Sequence, residues 1–409
     1  MMAMRDVHTT IQNDQSCWDR YCEEYNKSCS QYSQNIYIHN VDSRLSKGPT
    51  DARSKLSSLI LYDYLHPTSP ILSPVSPTDY CMQTDSHMDF SPGFDTSLVE
   101  MHDRTKNDYA VLSTYVSPIE NTDRNEVEVP LLCMVAFTAT MRNWGTKACR
   151  NLRTPKLTNA LWGAGLSFHR CHGELNVPYD PYLPNVFDGE EVSRGIRFFT
   201  FGYDIYAPDL VLVTHDYNGH QGNPVVHTWG GNKRENKNML RGGEGKEEEG
   251  KGKGFLDEVN RIRDMVDVKG LQRVNLLMGI NNSSPTVASK IRASRYGLGT
   301  KRTLTQALDF MGVDVVGKKM IENKCGNLYW VPWDLIEGEE DYGVGDTLRR
   351  GIWGDEGKVL YGPIGREEGG RMVNEHLGKQ SFMMGVCGMA FLAILLFMGR
   401  GRKLIRHTN

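Results

Sequence analysis

Asp85 and His87 stand two residues apart in the stretch Tyr80 to Phe90, which reads Y-C-M-Q-T-D-S-H-M-D-F. In an extended chain, side chains at i and i+2 point to the same side. A carboxylate oxygen and an imidazole nitrogen could therefore reach one cation. That mixed pair suits Mn²⁺ better than Ca²⁺, which prefers an all-oxygen shell. Two ligands do not hold a metal alone, so phosphate, water or distant residues must complete the set. By itself D-x-H is also an ordinary polar turn after a strand. Arg53 lies in the first turn of a helix opened by Gly48-Pro49, where backbone N–H groups and a guanidinium could meet a diphosphate. Leu161 to Gly165, L-W-G-A-G, holds Trp162, Gly163 and Gly165 and suggests close backbone approach to a ligand, or a plain turn. Asp188, Glu190 and Glu191 cluster in F-D-G-E-E ahead of a helix-like run, where negative charge also complements the helix dipole. Thr214-His215-Asp216 follows the apolar run Asp209 to Val213, with His220 and His227 beyond it.

The elements that must position these residues alternate between strand and helix. Short strands are predicted at Val7 to Ile11, Asn35 to Val41, Tyr109 to Val116 and Asp209 to Val213, and a near-continuous buried strand at Val129 to Thr138. Helices are predicted from about Thr50 to Tyr62, over Val192 to Thr200, and at the spacing Phe255, Val259, Ile262, Val266. The alternation gives an α/β class with a mixed, largely parallel sheet. His66 to Thr78 is a Pro/Ser loop, and Ser294 to Arg302, S-R-Y-G-L-G-T-K-R, is a basic loop able to face phosphate.

With 409 residues the chain can hold one large domain or two ordinary ones. A net charge of -3 and the lack of an aromatic-basic module argue against nucleic acid as a partner. The nine cysteines form no C-x-x-C pair, so neither a zinc ribbon nor a disulfide framework is indicated. Residues 1–16 have no apolar signal-peptide core. Phe382 to Gly399 is uncharged and mostly apolar, then Arg400, Arg402, Lys403 and Arg406 follow, which reads as a transmembrane helix with a basic flank. The expected organisation is a core over 1–230, a low-complexity insertion over 231–254 and the rest of the catalytic domain over 255–335. A linker over 336–380, a membrane helix over 381–399 and a basic tail over 400–409 complete it.

Three stretches resemble the family of polypeptide-hydroxyproline N-acetylglucosaminyltransferases. They are K-G-P-T-D-A-R, Q-T-D-S-H-M-D-F and the long block G-A-G-L-S-F-H-R-C-H-G-E-L-N-V-P-Y-D-P-Y-L-P-N-V-F-D-G-E-E. The likeness continues through G-I-R-F-F-T-F-G-Y-D-I-Y-A-P-D-L-V-L-V-T-H-D-Y-N-G-H and ends near Y-G-L-G-T-K-R-T. The family is similar to GT-A glycosyltransferases, which implies a nucleotide-diphospho-sugar transferase fold. The resemblance implies that Asp85, His87 and His215 ligate Mn²⁺ (or Mg²⁺), with His220 as the rival to His215. It implies UDP-GlcNAc as donor, retention at the anomeric carbon, and a protein hydroxyl, such as hydroxyproline, as acceptor. Asp188, Glu190 and Glu191 would take the acidic-loop roles of orienting hydroxyls and stabilising oxocarbenium-like charge. Arg53 and the Trp162, Gly163, Gly165 turn would line the donor site beside Asp85. The family's uridine-contacting first strand is not recognisable here, so the core is expected to lack it.

Two functions follow. One is a metal-dependent GlcNAc-transferase; the other is a catalytically silent, membrane-anchored binding protein on the same fold. The expected location is a membrane, with a single C-terminal anchor and the catalytic domain in the cytosol, the lumen being the alternative that the basic tail favours.

Overall fold

The computed structural model describes residues 2–7, 17–33, 36–42, 46–68, 75–121, 129–144, 146–149, 152–217, 270–280, 284–321 and 391–397. His220, His227, the insertion 231–254, the helix expected around Phe255 to Val266, the linker 336–380 and the tail 400–409 lie outside the described residues.

Eight strands form the central sheet in the order Lys156–Leu157, Asp204–Ala207, Ala110–Ser113, Leu166–Arg170, Tyr80–Thr84, Phe391–Phe397, Met2–Val7, Tyr37–Asp42. Five of them run in one direction: Tyr37–Asp42, Met2–Val7, Tyr80–Thr84, Ala110–Ser113 and Asp204–Ala207. Leu166–Arg170 and Phe391–Phe397 run against them and separate most of the co-directional neighbours. Only two pairings are therefore parallel, Met2–Val7 with Tyr37–Asp42 and Ala110–Ser113 with Asp204–Ala207. The sheet is mixed, as expected, but its contacts are less parallel than the alternation of elements implied. Register places Tyr206 beside Leu112, Leu112 beside Phe168 and Phe168 beside Met82, a buried row across the sheet.

Besides the strand expected at Asp209 to Val213, which lies instead at Val213–His215, three expectations need correction. The apolar run Val129 to Thr138 is two short strands, Val129–Leu132 and Val135–Phe137. Each pairs in its own two-stranded ribbon, with Thr146–Cys149 and Met141–Asn143 respectively. The described part of the expected membrane helix, Phe391–Phe397, is a strand between Tyr80–Thr84 and Met2–Val7. No helix among the described residues is long and apolar enough to cross a membrane. A short run of apolar side chains satisfies a strand inside a sheet as well as a helix in lipid, and composition alone does not separate them. The same sheet holds Met2–Val7 as a strand, which shares only Val7 with the strand expected at Val7 to Ile11; residues 8–11 lie outside the described residues.

The third correction concerns cysteine. Cys22 is bonded to Cys29 and Cys81 to Cys171, and Cys133 is disulfide-bonded as well. C-x-x-C spacing was the wrong test, because Cys81 and Cys171 are brought together by strand pairing and not by sequence proximity. His169 lies opposite Cys81 in the sheet, and Cys171 follows two residues later.

Two helices carry the site. Pro49–Leu65 begins with Pro in its first turn, where its fixed φ and missing N–H suit a helix start. Its Leu56 and Ile60 are buried, and Ser57 Oγ donates to Glu174 Oε2 at 3.2 Å. Glu190–Thr200 is buried along nearly its whole length. Val192, Ile196 and Phe199 pack into one cluster with Leu276, Met278 and Phe310, while Phe198 joins Trp162 and Tyr203 in another. The basic loop Ser294 to Arg302 does not present Arg302 to phosphate. Arg302 is buried, paired with Asp204 at 2.9 Å and bonded to the Tyr203 carbonyl at 3.1 Å.

Candidate active site

Asp85 follows directly on the strand Tyr80–Thr84. Leu166 lies opposite Thr84 and Ser167 opposite Ser113, so the Gly163–Gly165 turn, Asp85 and Thr114 to Val116 share one edge of the sheet. This edge is the carboxyl end of the co-directional strands, where open α/β sheets bind ligands. The turn is tightly seated. A Cβ on Gly163 would stand 2.7 Å from the Thr114 carbonyl oxygen, and one on Gly165 would stand 3.3 Å from Asp85 Oδ2. The close approach read from L-W-G-A-G is therefore to the neighbouring strand end and to the Asp85 carboxylate. Trp162 is fully buried, with its indole N–H donating to Ser167 Oγ at 2.9 Å, and it packs the core beneath the turn.

Arg53 joins the two acidic motifs. Its Nη1 donates to Glu190 Oε1 at 2.5 Å and its Nη2 to Asp85 Oδ1. Burial alone would lower the Arg53 pKa, yet the neighbouring charges of Glu190 and Asp85 hold it above its ordinary value. Arg53 thus acts as a buried bridge. Glu190 and Asp85 each give it one carboxylate oxygen, and the other oxygen of Asp85 lies against Gly165.

The histidines arrive from a second, three-stranded sheet of Met88–Phe90, Val213–His215 and Ser117–Pro118. His215 pairs with Met88, and the Asp216 N–H donates to the His87 carbonyl at 2.9 Å. His87 adopts a positive φ of 59°, a turn conformation that ends the D-S-H segment. The two imidazoles meet edge to face with centroids 5.9 Å apart. Nδ1 of His215 is buried without a hydrogen-bond partner. Burial lowers the His215 pKa; the Asp85 charge opposes this and His87 adds to it. Neutral imidazole with an open nitrogen is the form that ligates a cation. The donor types of Asp85, His87 and His215 and this open nitrogen fit a divalent metal. Among the described residues, however, no group of three or more His, Cys, Asp or Glu is placed so that it could hold a metal ion.

Glu191 faces the same region. Its Oε1 accepts from the Ala164 N–H at 2.9 Å, and its Oε2 accepts from Asn143 Nδ2 at 3.0 Å and from the Tyr115 hydroxyl at 3.1 Å. Burial pushes its carboxyl up to about 7, the Ala164 N–H opposes this, and the charges of Glu190 and Asp85 add to it. Asp188 sits nearer solvent, 3.4 Å from Arg142. Sequence reasoning missed Tyr115, Asn143 and Tyr217. Tyr217 packs on the His215 ring at 4.3 Å, donates to the Val116 carbonyl at 2.7 Å and remains half exposed. Burial raises its phenol, and the charges of Asp85 and Glu191 raise it further. Its place in H-D-Y was the available signal, since a residue at i+2 from His215 continues the same face.

A search among curated proteins finds no match. The family described as GlcNAc, Glycosyltransferase (GlcNAc), matches over residues 2–317, well over half of the chain, from the first strand of the sheet through the last packed helix. The chain belongs to this family of GlcNAc glycosyltransferases.

Proposed function

We propose that the protein transfers GlcNAc from UDP-GlcNAc to a protein hydroxyl with retention at the anomeric carbon, using a divalent cation held by Asp85, His87 and His215. The observation that carries this is the unpartnered His215 Nδ1 beside His87, at the edge of the sheet where Asp85 emerges. When bound, Mn²⁺ would supply positive charge to the departing diphosphate. Arg53 fixes the Asp85 carboxylate and adds a second positive charge at the same place. Glu190, with one oxygen on Arg53, and Glu191, whose oxygens accept from Ala164, Asn143 and Tyr115, are the carboxyl groups that would orient a sugar or acceptor hydroxyl. Tyr217 offers an exposed aromatic face for a sugar or base ring. Hydroxyproline is the acceptor group that the family resemblance suggests.

The test is calorimetric titration of UDP into the full chain with and without Mn²⁺. Binding that needs Mn²⁺ and disappears in His87→Ala and His215→Ala supports the reading. Binding indifferent to metal and to both substitutions rejects it. One observation favours the silent-binder alternative: Arg53 already holds one oxygen of Asp85, so cation and arginine must share that carboxylate. A protein that binds UDP yet never releases it from UDP-GlcNAc would be that alternative.

The location also changes. Disulfides form and persist in oxidising compartments. The Cys22–Cys29 and Cys81–Cys171 bonds support a lumenal or extracellular catalytic domain over the cytosolic one expected from unpaired cysteines.

A further inference from the structure

The helix Glu190–Thr200 presents Glu190, Arg194 and Arg197 at the spacing i, i+4, i+7, all lining one cleft that opens to solvent. Arg273, Asp180 and Tyr296 line it from other segments. Almost every charge here has a partner. Arg194 Nη2 donates to Glu174 Oε1 at 2.6 Å, Arg273 Nε donates to Asp180 Oδ2 at 2.6 Å, and Glu190 is held by Arg53. Arg197 differs. Its Nε donates to the Gly297 carbonyl at 3.0 Å, but its Nη2 has no partner although the residue is only 4% exposed. No ion pair among the described residues involves it. A guanidinium withdrawn from water without an anion is unfavourable, and an anion entering the cleft would relieve that. Burial, with Arg194 and Arg295 as like-charged neighbours, pulls the Arg197 guanidinium down to about 9, although the charges of Asp180 and Glu174 oppose this from a distance.

The surplus is one positive charge, which a carboxylate balances and a phosphate dianion would exceed. The rim suits a polypeptide: exposed Tyr182 meets Tyr296 edge to face at 6.0 Å, and Arg273 lies 5.2 Å over the Tyr182 ring. Glu190 forms part of the wall, and Arg53 connects it to Asp85, so the cleft adjoins the donor side through a single ion-pair relay. We propose that Arg197 receives the side-chain or terminal carboxylate of an acidic acceptor polypeptide, making this cleft a specificity subsite. The identity of the incoming chain rests on the transferase reading; the presence of a carboxylate site does not.

The experiment titrates the full chain at constant ionic strength with oligoglutamate, oligoglutamine, N-acetylglutamate and inorganic phosphate. Oligoglutamate is expected to bind the wild type at least about tenfold more tightly than oligoglutamine or the other probes. Arg197→Met should remove that preference, and Arg197→Lys should keep part of it. Should Arg197→Met fail to fold, Tyr296→Glu places a competing carboxylate at the rim and should remove the preference equally. Equal oligoglutamate affinity in the wild type and in whichever of these two variants folds overturns the proposal. Tighter binding of phosphate overturns the choice of carboxylate, and N-acetylglutamate matching oligoglutamate overturns the polypeptide as its source. Acceptor-free UDP-GlcNAc hydrolysis, measured on the same preparations, should be unchanged by either Arg197 substitution. Its absence in the wild type would count against the transferase reading while leaving the binding result to judge the subsite.

Discussion

Glu191 gives the candidate active site its pH dependence. Its ordinary pKa of 4.5 is pushed up to about 7 in the folded protein. Because the folded state holds this proton more tightly than the unfolded chain, the group's contribution favours folding in acid. That contribution is fully present below pH 4.5 and is lost as pH rises towards about 7. Glu191→Gln should therefore show a flatter fall in melting temperature than the wild type across this window. Parallel curves for the two proteins would show that the shift is not there. Arg53 makes a different prediction. Arg53→Met leaves Asp85 and buried Glu190 without their shared cation, and the expected loss is roughly 3–5 kcal/mol in a denaturant titration. A loss below about 1 kcal/mol would mean that the bridge is not a structural tie. Asp85, His87 and His215 were legible as candidates by donor type, but the extended i, i+2 geometry expected of Asp85 and His87 is not what forms, since the segment bends and His87 takes a φ of 59°. The engagement of Arg53 with Glu190 was not legible, since it joins residues 137 apart through the packing of two helices.

At the scale of elements, the helices at Thr50 to Tyr62 and Val192 to Thr200 were readable from Pro at the start, acidic first turns and dense apolar positions. They appear as Pro49–Leu65 and Glu190–Thr200. Strand partners were not readable. The run Val129 to Thr138 has the apolarity of one central strand, yet its halves pair with different neighbours. Likewise Phe391–Phe397 has the apolarity of a membrane segment and pairs within the sheet. Periodicity reports which faces are apolar; it does not report what covers them. The tightest element contact offers a direct check. Gly163→Ala would drive a Cβ to within 2.7 Å of the Thr114 carbonyl oxygen. Separating the turn from the strand end should lower stability by about 1–3 kcal/mol. Wild-type stability for this variant would mean that the turn is not seated on that strand.

The whole molecule ties its sheet to the following helix through Cys81–Cys171, two cysteines 90 positions apart. Cys171→Ser is expected to destabilise the fold by about 2–4 kcal/mol, and a reducing agent should lower the wild-type melting temperature while leaving the variant less affected. Insensitivity of the wild type to reductant would argue against the disulfide and against an oxidising compartment. The candidate site joins parts from both sheets: Asp85, Gly165 and Tyr115 at the carboxyl edge of one, His87 and His215 from the other, and Glu191 from the helix that packs beside them. This convergence is the basis for reading the protein as an active transferase. The most direct measurement is UDP released from UDP-GlcNAc by the full chain, in Mn²⁺ and in EDTA, for the wild type and His215→Ala. Release that requires Mn²⁺ and is lost in His215→Ala is the expected result. Release of UDP by His215→Ala at the wild-type rate, or no release by a folded wild type that binds UDP, would contradict it.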